Sequence, residues 1–317
     1  MATQDYSNAS AILRNTASRG IVDTTARPID FIRLLQARGR FIPVTSLPRP
    51  GAEPYVVSLV TGNGSTAGRF VEGQAASSGS RRSFANASFS AFYWREVVRA
   101  TGRNLDIARA GGFVEANQLQ AEIENATMNL MYAMEGDFLG STVNLGIASI
   151  IDDTTLLGGL DPATYTTHAS KVSTVSGAQT AAALADHYEA ITSSPYLAMP
   201  SDILSCPGQV TNYTNLAGLG GGTNVSRMML PLAQGYDIGV NPAAASFNGI
   251  PWRQINGMTT TETYWPNLAD YTMGVQRDVT YEPYGKTNDD TTGQVTMAVI
   301  PILERRRSHS KQESLTA

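Results

Sequence analysis

The feature that most constrains the fold is a long amphipathic stretch from Gly112 to Leu139. A helix of about 25 residues would be about 37 Å long at 1.5 Å per residue. No other segment has a helical pattern of similar length, so a single-chain helix bundle would lack partner helices. The stretch therefore predicts a long helix lying along a β-sheet. Its apolar residues recur at steps of three and four, which places them on one helical face; they are Ala116, Leu119, Ile123, Ala126, Leu130 and Ala133 or Met134.

A second constraint is an excursion over residues 51–92 that is rich in glycine and serine. Tyr55–Val60 alternates as a strand does, and the pattern returns to strand at the aromatic residues Phe84, Phe89, Phe92 and Trp94. The intervening Gly73–Arg82 consists almost entirely of small residues before two arginines. We therefore predict a protruding two-stranded hairpin. Because an isolated hairpin is marginally stable in water, we expect it to lie on another surface, and a neighbouring subunit is favoured.

The rest of the chain has a mixed helical and strand pattern. A short helix is predicted between Pro28 and Gly39, where proline and glycine mark its ends. Beyond Gly140 we predict a helix over about Ala178–Thr192 capped by Ser176, and a basic polar tail from residue 304. The other predicted elements are a strand at Asp202–Ser205, a helix from Pro207, and strands at Asp237–Val240, which lies outside the residues that the structure describes, and at Ile250–Trp252, Thr272–Thr280 and Gln294–Leu303.

Composition is consistent with a protein whose surface is largely interface. Charged residues make up 16% of the chain, against roughly 25% in ordinary soluble domains. Only three of the 23 basic residues are lysines, and arginine is enriched over lysine at protein interfaces. A G+C-rich genome would produce the same excess of arginine over lysine, and we give the two explanations equal weight. The net charge of −4 argues against general nucleic-acid binding, which requires a basic surface.

The residues that could carry chemistry form no coherent site. Cys206 is the only cysteine, so no intrachain disulfide is possible, and we interpret it as a buried structural thiol. None of the three histidines has a second histidine at the spacing of a zinc-binding helix. We interpret His187 as a surface histidine with satisfied hydrogen bonds. Asp152 and Asp153 are interpreted as a solvated turn, because calcium requires more oxygen ligands at set spacings.

The glycine-rich loops and the basic run are interpreted in the same way. Gly62–Gly68 and Gly218–Asn224 lack the lysine of a phosphate-binding loop, so they are predicted to be connectors. Arg305–Arg307 could contact nucleic acid, but a solvated end or a subunit contact is favoured. The sequence therefore predicts no catalytic residue, no cofactor and no metal.

The sequence also predicts where the chain folds. Met1–Ser7 lacks the basic and apolar pattern of a secretory signal. No run of about 18 apolar residues is present, so no membrane span is expected. We therefore expect the chain to fold in a cytoplasm.

Four segments, taken in order, resemble one known family. They are Arg69-Phe-Val-Glu-Gly73, Gly136-Asp-Phe-Leu-Gly140 at the end of the long helix, Leu157–Tyr165, and Ile203–Pro207 with Tyr213. Over roughly residues 28–303 the chain resembles the major capsid protein of tailed double-stranded DNA bacteriophages. Encapsulins and the herpesvirus capsid floor share this shell fold.

The resemblance implies an α+β chain with the tailed-phage major capsid fold. It has an N-terminal arm, an extended β-hairpin loop, a peripheral domain with a long spine helix, and an axial α/β domain. The implied bounds are residues 1–50 for the arm and short helix, 51–92 for the extended loop, 93–142 for the peripheral domain with its spine helix at about 112–139, 143–250 for the axial domain, 251–303 for the return strands, and 304–317 for the tail.

The resemblance also implies a function and partners. The chain would form the pentamers and hexamers of an icosahedral phage head that encloses double-stranded DNA without sequence-specific binding. It would assemble in the host bacterial cytoplasm and reside in the virion, without membrane contact. A separate scaffolding protein and a portal are expected, and a decoration protein is an option.

The contacts between subunits are implied at two places. The extended loop would contact the next subunit through Arg69, Phe70, Glu72, Gly73, Arg81 and Arg82. The polar face of the spine helix would contribute Gln120, Glu124 and Asn129.

Two departures from the family pattern carry expectations. Some members crosslink their shells through a lysine in the extended loop, whereas this chain has no lysine before Lys171, so such a crosslink is not expected. Other members carry a cleaved N-terminal scaffolding segment. The capsid pattern begins here near residue 28, so we expect any scaffold to be a separate protein.

Three alternatives stay open at this point. An encapsulin-type nanocompartment would share the fold but enclose cargo enzymes. A Thr/Gly-rich surface or adhesion protein is disfavoured by the missing export signal and the long helix. A hydrolase using Cys206 or the pair Asp152 and Asp153 is disfavoured because no triad or metal set accompanies them.

Overall fold

The computed structural model describes residues 29–48, 53–62, 82–100, 115–219, 246–284 and 291–316. Five α-helices occur in these ranges: α1 (Asp30–Ala37), α2 (Glu115–Leu139), α3 (Ile147–Ile150), α4 (Ala181–Thr192) and α5 (Pro207–Leu219). The strands are β1 (Phe41–Pro43), β2 (Tyr55–Gly62), β3 (Ser83–Phe89), β4 (Phe92–Ala100), β5 (Lys171–Ala178), β6 (Ile203–Ser205), β7 (Ser246–Phe247), β8 (Ile250–Gln254), β9 (Thr263–Trp265), β10 (Tyr271–Pro283), β11 (Thr291–Leu303) and β12 (Ser310–Thr316).

The chain forms two compact units. The first contains Phe92–Glu135 and Val275–Val299, and so includes β4, most of α2 and the greater part of β10 and β11. The second contains Asp30–Ala91, Gly136–Gly274 and the residues from Ile300 onward.

In the first unit a long helix accompanies antiparallel strands. β11 pairs with β4 from Thr291 opposite Ala100 to Val299 opposite Phe92. The apolar stripe of α2 is buried at Ala126, Leu130 and Met134, as the helical period predicts. Ala133, the alternative member of that stripe, is exposed.

The second unit is built on a six-stranded mixed sheet of order β5-β12-β9-β6-β8-β7. β12 runs parallel to β5 and antiparallel to β9, and β6 runs parallel to β8. The core beside it contains a stacked pair of rings, Tyr213 on Trp252, with centroids 4.2 Å apart. Its buried members are Leu184, Ile191, Ala198, Ile203, Tyr213, Trp252 and Trp265.

Most elements agree with the sequence predictions. The short first helix, the long helix, the strand at Ile203–Ser205, the helix from Pro207 and the strands β8, β10 and β11 are all present. The predicted cap of α4 is wrong, because Thr180 is the N-cap and its hydroxyl accepts from the Ala183 N–H at 3.1 Å. Ser176 lies instead within β5 and has a positive φ of 55°.

The prediction of a basic tail from residue 304 is wrong over the residues that the structure describes. Arg306 is fully buried, and β12 is an interior strand of the six-stranded sheet. β5, β9 and β12 were not predicted from the sequence. β12 reads Ser-Lys-Gln-Glu-Ser-Leu-Thr, and a strand of polar residues gives no alternating apolar signal.

Candidate functional site

The candidate site is the base of the predicted extended loop, where β2 and β3 pair. They are antiparallel, with Tyr55 opposite Phe89 and Val60 opposite Phe84. Tyr55 and Phe89 are buried, whereas Phe84 is 65% exposed. The pair is therefore packed at the end near Tyr55 and open at the end from which residues 63–81 continue.

Gly158 fixes β3 on its outer edge. The Ser88 N–H donates to the Gly158 carbonyl at 2.9 Å, and the Gly158 N–H donates to Asn144 Oδ1 at 2.8 Å. A Cβ atom at Gly158 would lie 2.9 Å from the Ala87 Cβ, closer than real Cβ atoms approach, and the residue has a φ of +58°. Only glycine satisfies both conditions without strain.

The residues after this glycine form a compact turn. Asp161 accepts hydrogen bonds from the Ala163 N–H at 3.0 Å through its side chain and from the Tyr165 N–H at 2.8 Å through its carbonyl. The Asp161–Tyr165 part of the family-like segment thus has a structural role, because an aspartate that accepts a hydrogen bond from a nearby backbone N–H stabilises a turn. The turn leads into the 3₁₀ turn Thr166–His168.

That 3₁₀ turn contacts the other strand of the hairpin. The Thr167 hydroxyl donates to the Thr61 carbonyl at 3.2 Å. β2 and β3 are therefore each hydrogen-bonded to the segment 157–168, which holds the base of the hairpin.

Arg306 holds the neighbouring loop in place from the interior. Its guanidinium donates to the carbonyls of Ser149 at 3.1 Å, Ile150 at 2.9 Å and Thr155 at 2.7 Å. The Ser170 hydroxyl in turn donates to the Arg306 carbonyl at 2.9 Å. Burial lowers the pKa of Arg306 to about 10, so the group stays charged at neutral pH. Because the Arg306 guanidinium donates to three backbone carbonyls, its role is structural: it fixes the loop that carries them.

The predicted contact residues of the extended loop fall mostly outside the described residues. Arg69, Phe70, Glu72, Gly73 and Arg81 all lie in the segment that the structure leaves undescribed. Arg82 directly precedes β3 and is exposed.

The three predicted residues of the long helix are all exposed. The Gln120 amide donates to Glu124 Oε1 at 3.0 Å, so these two form one polar patch. Asn129 lies nine residues after Gln120, which is about 180° around the helix axis at 3.6 residues per turn. The three residues therefore do not form a single polar stripe.

The histidine predicted to lie on the surface is buried. His187 is 2% exposed, and its two ring nitrogens bond the hydroxyls of Ser173 at 2.9 Å and Ser310 at 3.1 Å. Burial and the charge of Lys171 lower its pKa to about 3, so the ring is neutral. It joins β5 to β12 from helix α4. The prediction of satisfied hydrogen bonds is confirmed, and that of a surface position is wrong.

The other candidate chemical groups are also structural. Cys206 is 2% exposed, as the sequence predicts. Asp152 is not part of a solvated turn, because it pairs with the buried Lys311 at 3.2 Å and accepts the Thr155 N–H at 2.9 Å. Burial alone would raise the pKa of Asp152, but the threonine hydroxyls and Lys311 outweigh it and hold that pKa well below its usual range.

The described residues contain neither a metal-binding cluster nor a membrane-spanning helix. No cluster of histidine, cysteine, aspartate and glutamate there could hold a metal ion. No helix in the same ranges is both long and apolar enough to cross a membrane.

Sequence reasoning missed Arg306 and Gly158 as key residues of this region. Arg306 sits in a run of three arginines, and nothing in the run distinguishes the buried one from its exposed neighbours. Gly158 had a usable signal, since two consecutive glycines between leucines indicate a backbone with positive φ.

Comparison with known proteins gives the fold. No protein-family model matches the chain, and no curated protein matches it. Among solved structures, it matches a chain of the cyanophage A-1(L) capsid asymmetric unit with a TM-score of 0.67 at 13% identity, over 95% of both chains. It matches the holo-SrpI encapsulin complex from Synechococcus elongatus PCC 7942 with a TM-score of 0.61 at 12% identity, over 99% and 96% of the two chains. The capsid of a native GTA particle gives 0.59 at 12% identity, over 94% and 93%.

These matches extend over nearly the whole length of each chain. The protein has the α+β fold of tailed-phage capsid proteins and encapsulins, and the fold prediction is confirmed.

Proposed function

We propose that this chain is a structural subunit that self-associates into a closed shell, without a catalytic role. The observation that carries the proposal is the fold match over 95% of both chains with a phage capsid chain. The packing of the hairpin supports it as well. β2 and β3 are fixed at their base and end in an exposed edge at Phe84, which suits a loop that reaches another subunit.

The proposed mechanism is assembly by repeated weak contacts. Subunits that meet head to tail form heterologous contacts, which close into rings of five and six. In this proposal the extended loop contacts the next subunit through Arg69, Phe70, Glu72, Gly73, Arg81 and Arg82. Gln120, Glu124 and Asn129 of α2 form further contacts. Each subunit makes several contacts at once, so the shell is more stable than any one contact suggests.

We further propose the finer assignment of a phage head that encloses double-stranded DNA, with a separate scaffold and a portal, in a virion assembled in the host cytoplasm. An encapsulin-type nanocompartment is the second candidate, favoured by the TM-score of 0.61 to an encapsulin over 99% of this chain. Genes for a portal, a protease and a terminase beside this gene would support the phage head. A neighbouring gene for a cargo enzyme would support the nanocompartment.

The first experiment is negative-stain electron microscopy of the purified full chain, with light scattering to measure particle size. Closed shells, rings or tubes tens of nanometres across are the expected result, with a scaffold protein co-expressed where the chain alone stays monomeric. A chain that stays monomeric even with the scaffold would contradict the proposal.

A loop-deletion variant tests the role of the hairpin. Gly62 pairs with Ser83, so replacing residues 63–82 by Asn-Gly closes β2 and β3 with a two-residue turn of the type that hairpins favour. We expect a folded monomer with the circular dichroism of the full chain and no particles in the electron microscope. Particles of normal yield and stability would refute the assigned role of the loop.

A further inference from the structure

A groove of about 440 Å³ runs along strand β2. Six consecutive residues of the strand, Val57–Gly62, form one side of it. The rest of the lining consists of Thr167, His168 and Glu304–Arg307. All these residues belong to the second unit.

Among the described residues, the part of β2 from Val57 to Val60 that lines the groove has one edge without a neighbouring strand. Among the described residues β2 pairs only with β3, and the Thr167 hydroxyl satisfies the Thr61 carbonyl at one end. An unpaired strand edge presents N–H and C=O groups to which an extended chain can add as a further strand. The groove therefore offers main-chain hydrogen bonds.

His168 also lines the groove and is buried. It is 4% exposed, and its Nε2 atom has no hydrogen-bond partner among the described residues. Its other ring nitrogen bonds the Leu157 carbonyl, while burial and the charge of Arg306 lower the pKa of His168 to about 4. The ring is neutral at pH 7, so Nε2 accepts and requires a donor. A peptide N–H supplies one, whereas a nucleic-acid phosphate supplies only acceptors.

The mouth of the groove is positively charged. Arg305 and Arg307 are exposed, and Glu304 is the one acidic residue in its lining. Arg306 also lines the groove, but three carbonyls already occupy its guanidinium. Two exposed guanidinium groups bind carboxylates strongly through charge-assisted hydrogen bonds.

We propose that this groove binds an extended acidic peptide segment of another protein, which adds a strand to the free edge of β2 and pairs its carboxylates with Arg305 and Arg307. One peptide would satisfy the strand edge, the His168 acceptor and the two arginines together. The proposal does not rest on shell formation, because every residue of the groove belongs to a single chain.

Fluorescence anisotropy tests the proposal on the purified full chain. The probe is a fluorescein-labelled ten-residue peptide of alternating glutamate and threonine, compared with its lysine–threonine counterpart. We expect the acidic peptide to bind and the lysine–threonine peptide not to bind. The double variant Arg305→Ser/Arg307→Ser should bind the acidic peptide about tenfold more weakly, or weaker still. The matched control is Arg33→Ser/Arg95→Ser, which removes two exposed arginines outside the groove and should leave the affinity unchanged.

Hydrogen exchange locates the bound peptide. We expect the peptide to slow exchange at the amides of Val57–Val60. Three results would overturn the proposal: no binding of the acidic peptide, equal loss of affinity in the control variant, or protection confined to other strands. A ten-nucleotide single-stranded DNA that displaces the peptide would overturn it in favour of nucleic acid.

Discussion

At the scale of single residues, two adjacent glycines allow the cost of backbone strain to be distinguished from the cost of a steric clash. Gly158 and Gly159 both have positive φ, at +58° and +82°. A Cβ atom at Gly158 would meet the Ala87 Cβ at 2.9 Å, whereas one at Gly159 would meet nothing within 4 Å. We expect Gly159→Ala to lower the free energy of unfolding by about 1 kcal/mol, the penalty of a left-handed backbone for a residue with a Cβ.

Gly158→Ala should be more destabilising, by about 2 to 4 kcal/mol, since β3 must shift to relieve the contact. Urea unfolding of both variants measures the difference. Equal losses in the free energy of unfolding of the two variants would show that β3 can shift at no cost. Its position would then not depend on the close approach of Gly158 to Ala87.

At the scale of secondary-structure elements, Arg306 connects the turn before β12 to the loop around α3. Arg306→Met would leave three carbonyls without donors, those of Ser149, Ile150 and Thr155. Each buried group left unsatisfied costs about 1 to 3 kcal/mol, so we expect a loss of about 3 kcal/mol or more in the free energy of unfolding.

Arg307→Met is the matched control, because Arg307 is the next residue and is exposed. We expect it to change stability by less than about 0.5 kcal/mol, as surface substitutions do. If both variants lost the same amount of stability, urea unfolding would contradict the assignment of Arg306 as the anchor.

Strand β12 shows why some elements were beyond sequence reasoning. Its first three residues, Ser310, Lys311 and Gln312, are polar and buried, but each has a partner from a distant segment. Gln312 donates to the Ala183 carbonyl at 3.0 Å, and Lys311 pairs with Asp152 at 3.2 Å. Sequence periodicity detects strands through alternating apolar residues, so a strand stabilised by long-range polar contacts reads as a tail.

At the scale of the whole molecule, the three histidines make stability depend on pH. All three are buried, at His168, His187 and His309. Burial is the main cause that lowers their pKa values, to about 4, about 3 and about 3 respectively. The unfolded chain therefore binds protons more readily than the folded one. The stability that they contribute is fully present above pH 6.5 and is lost as the pH falls from 6.5 towards 4 and 3.

We expect the free energy of unfolding to fall between pH 6.5 and 4 by up to about 1.4 kcal/mol per pH unit for each histidine. His187→Gln should make the dependence of the free energy of unfolding on pH shallower by the contribution of one histidine. Urea unfolding at a series of pH values measures it. As a control, Gln36→His adds a histidine at an exposed position and should leave the slope unchanged. An unaltered slope in His187→Gln would contradict the burial of a neutral ring.

The long helix, the strands of the hairpin base and the class of fold could be predicted from the amino-acid sequence. These features rest on local periodicity, on glycine and proline at element ends, and on the order of four short motifs. The tertiary structure decided which polar residues are interior. Arg306 and Arg307 are neighbouring arginines that the sequence pattern does not distinguish. Arg306 is nevertheless fully buried and donates to three carbonyls, whereas Arg307 is exposed. That difference depends on carbonyls about 150 residues away, and a local pattern carries no information about a contact at that separation.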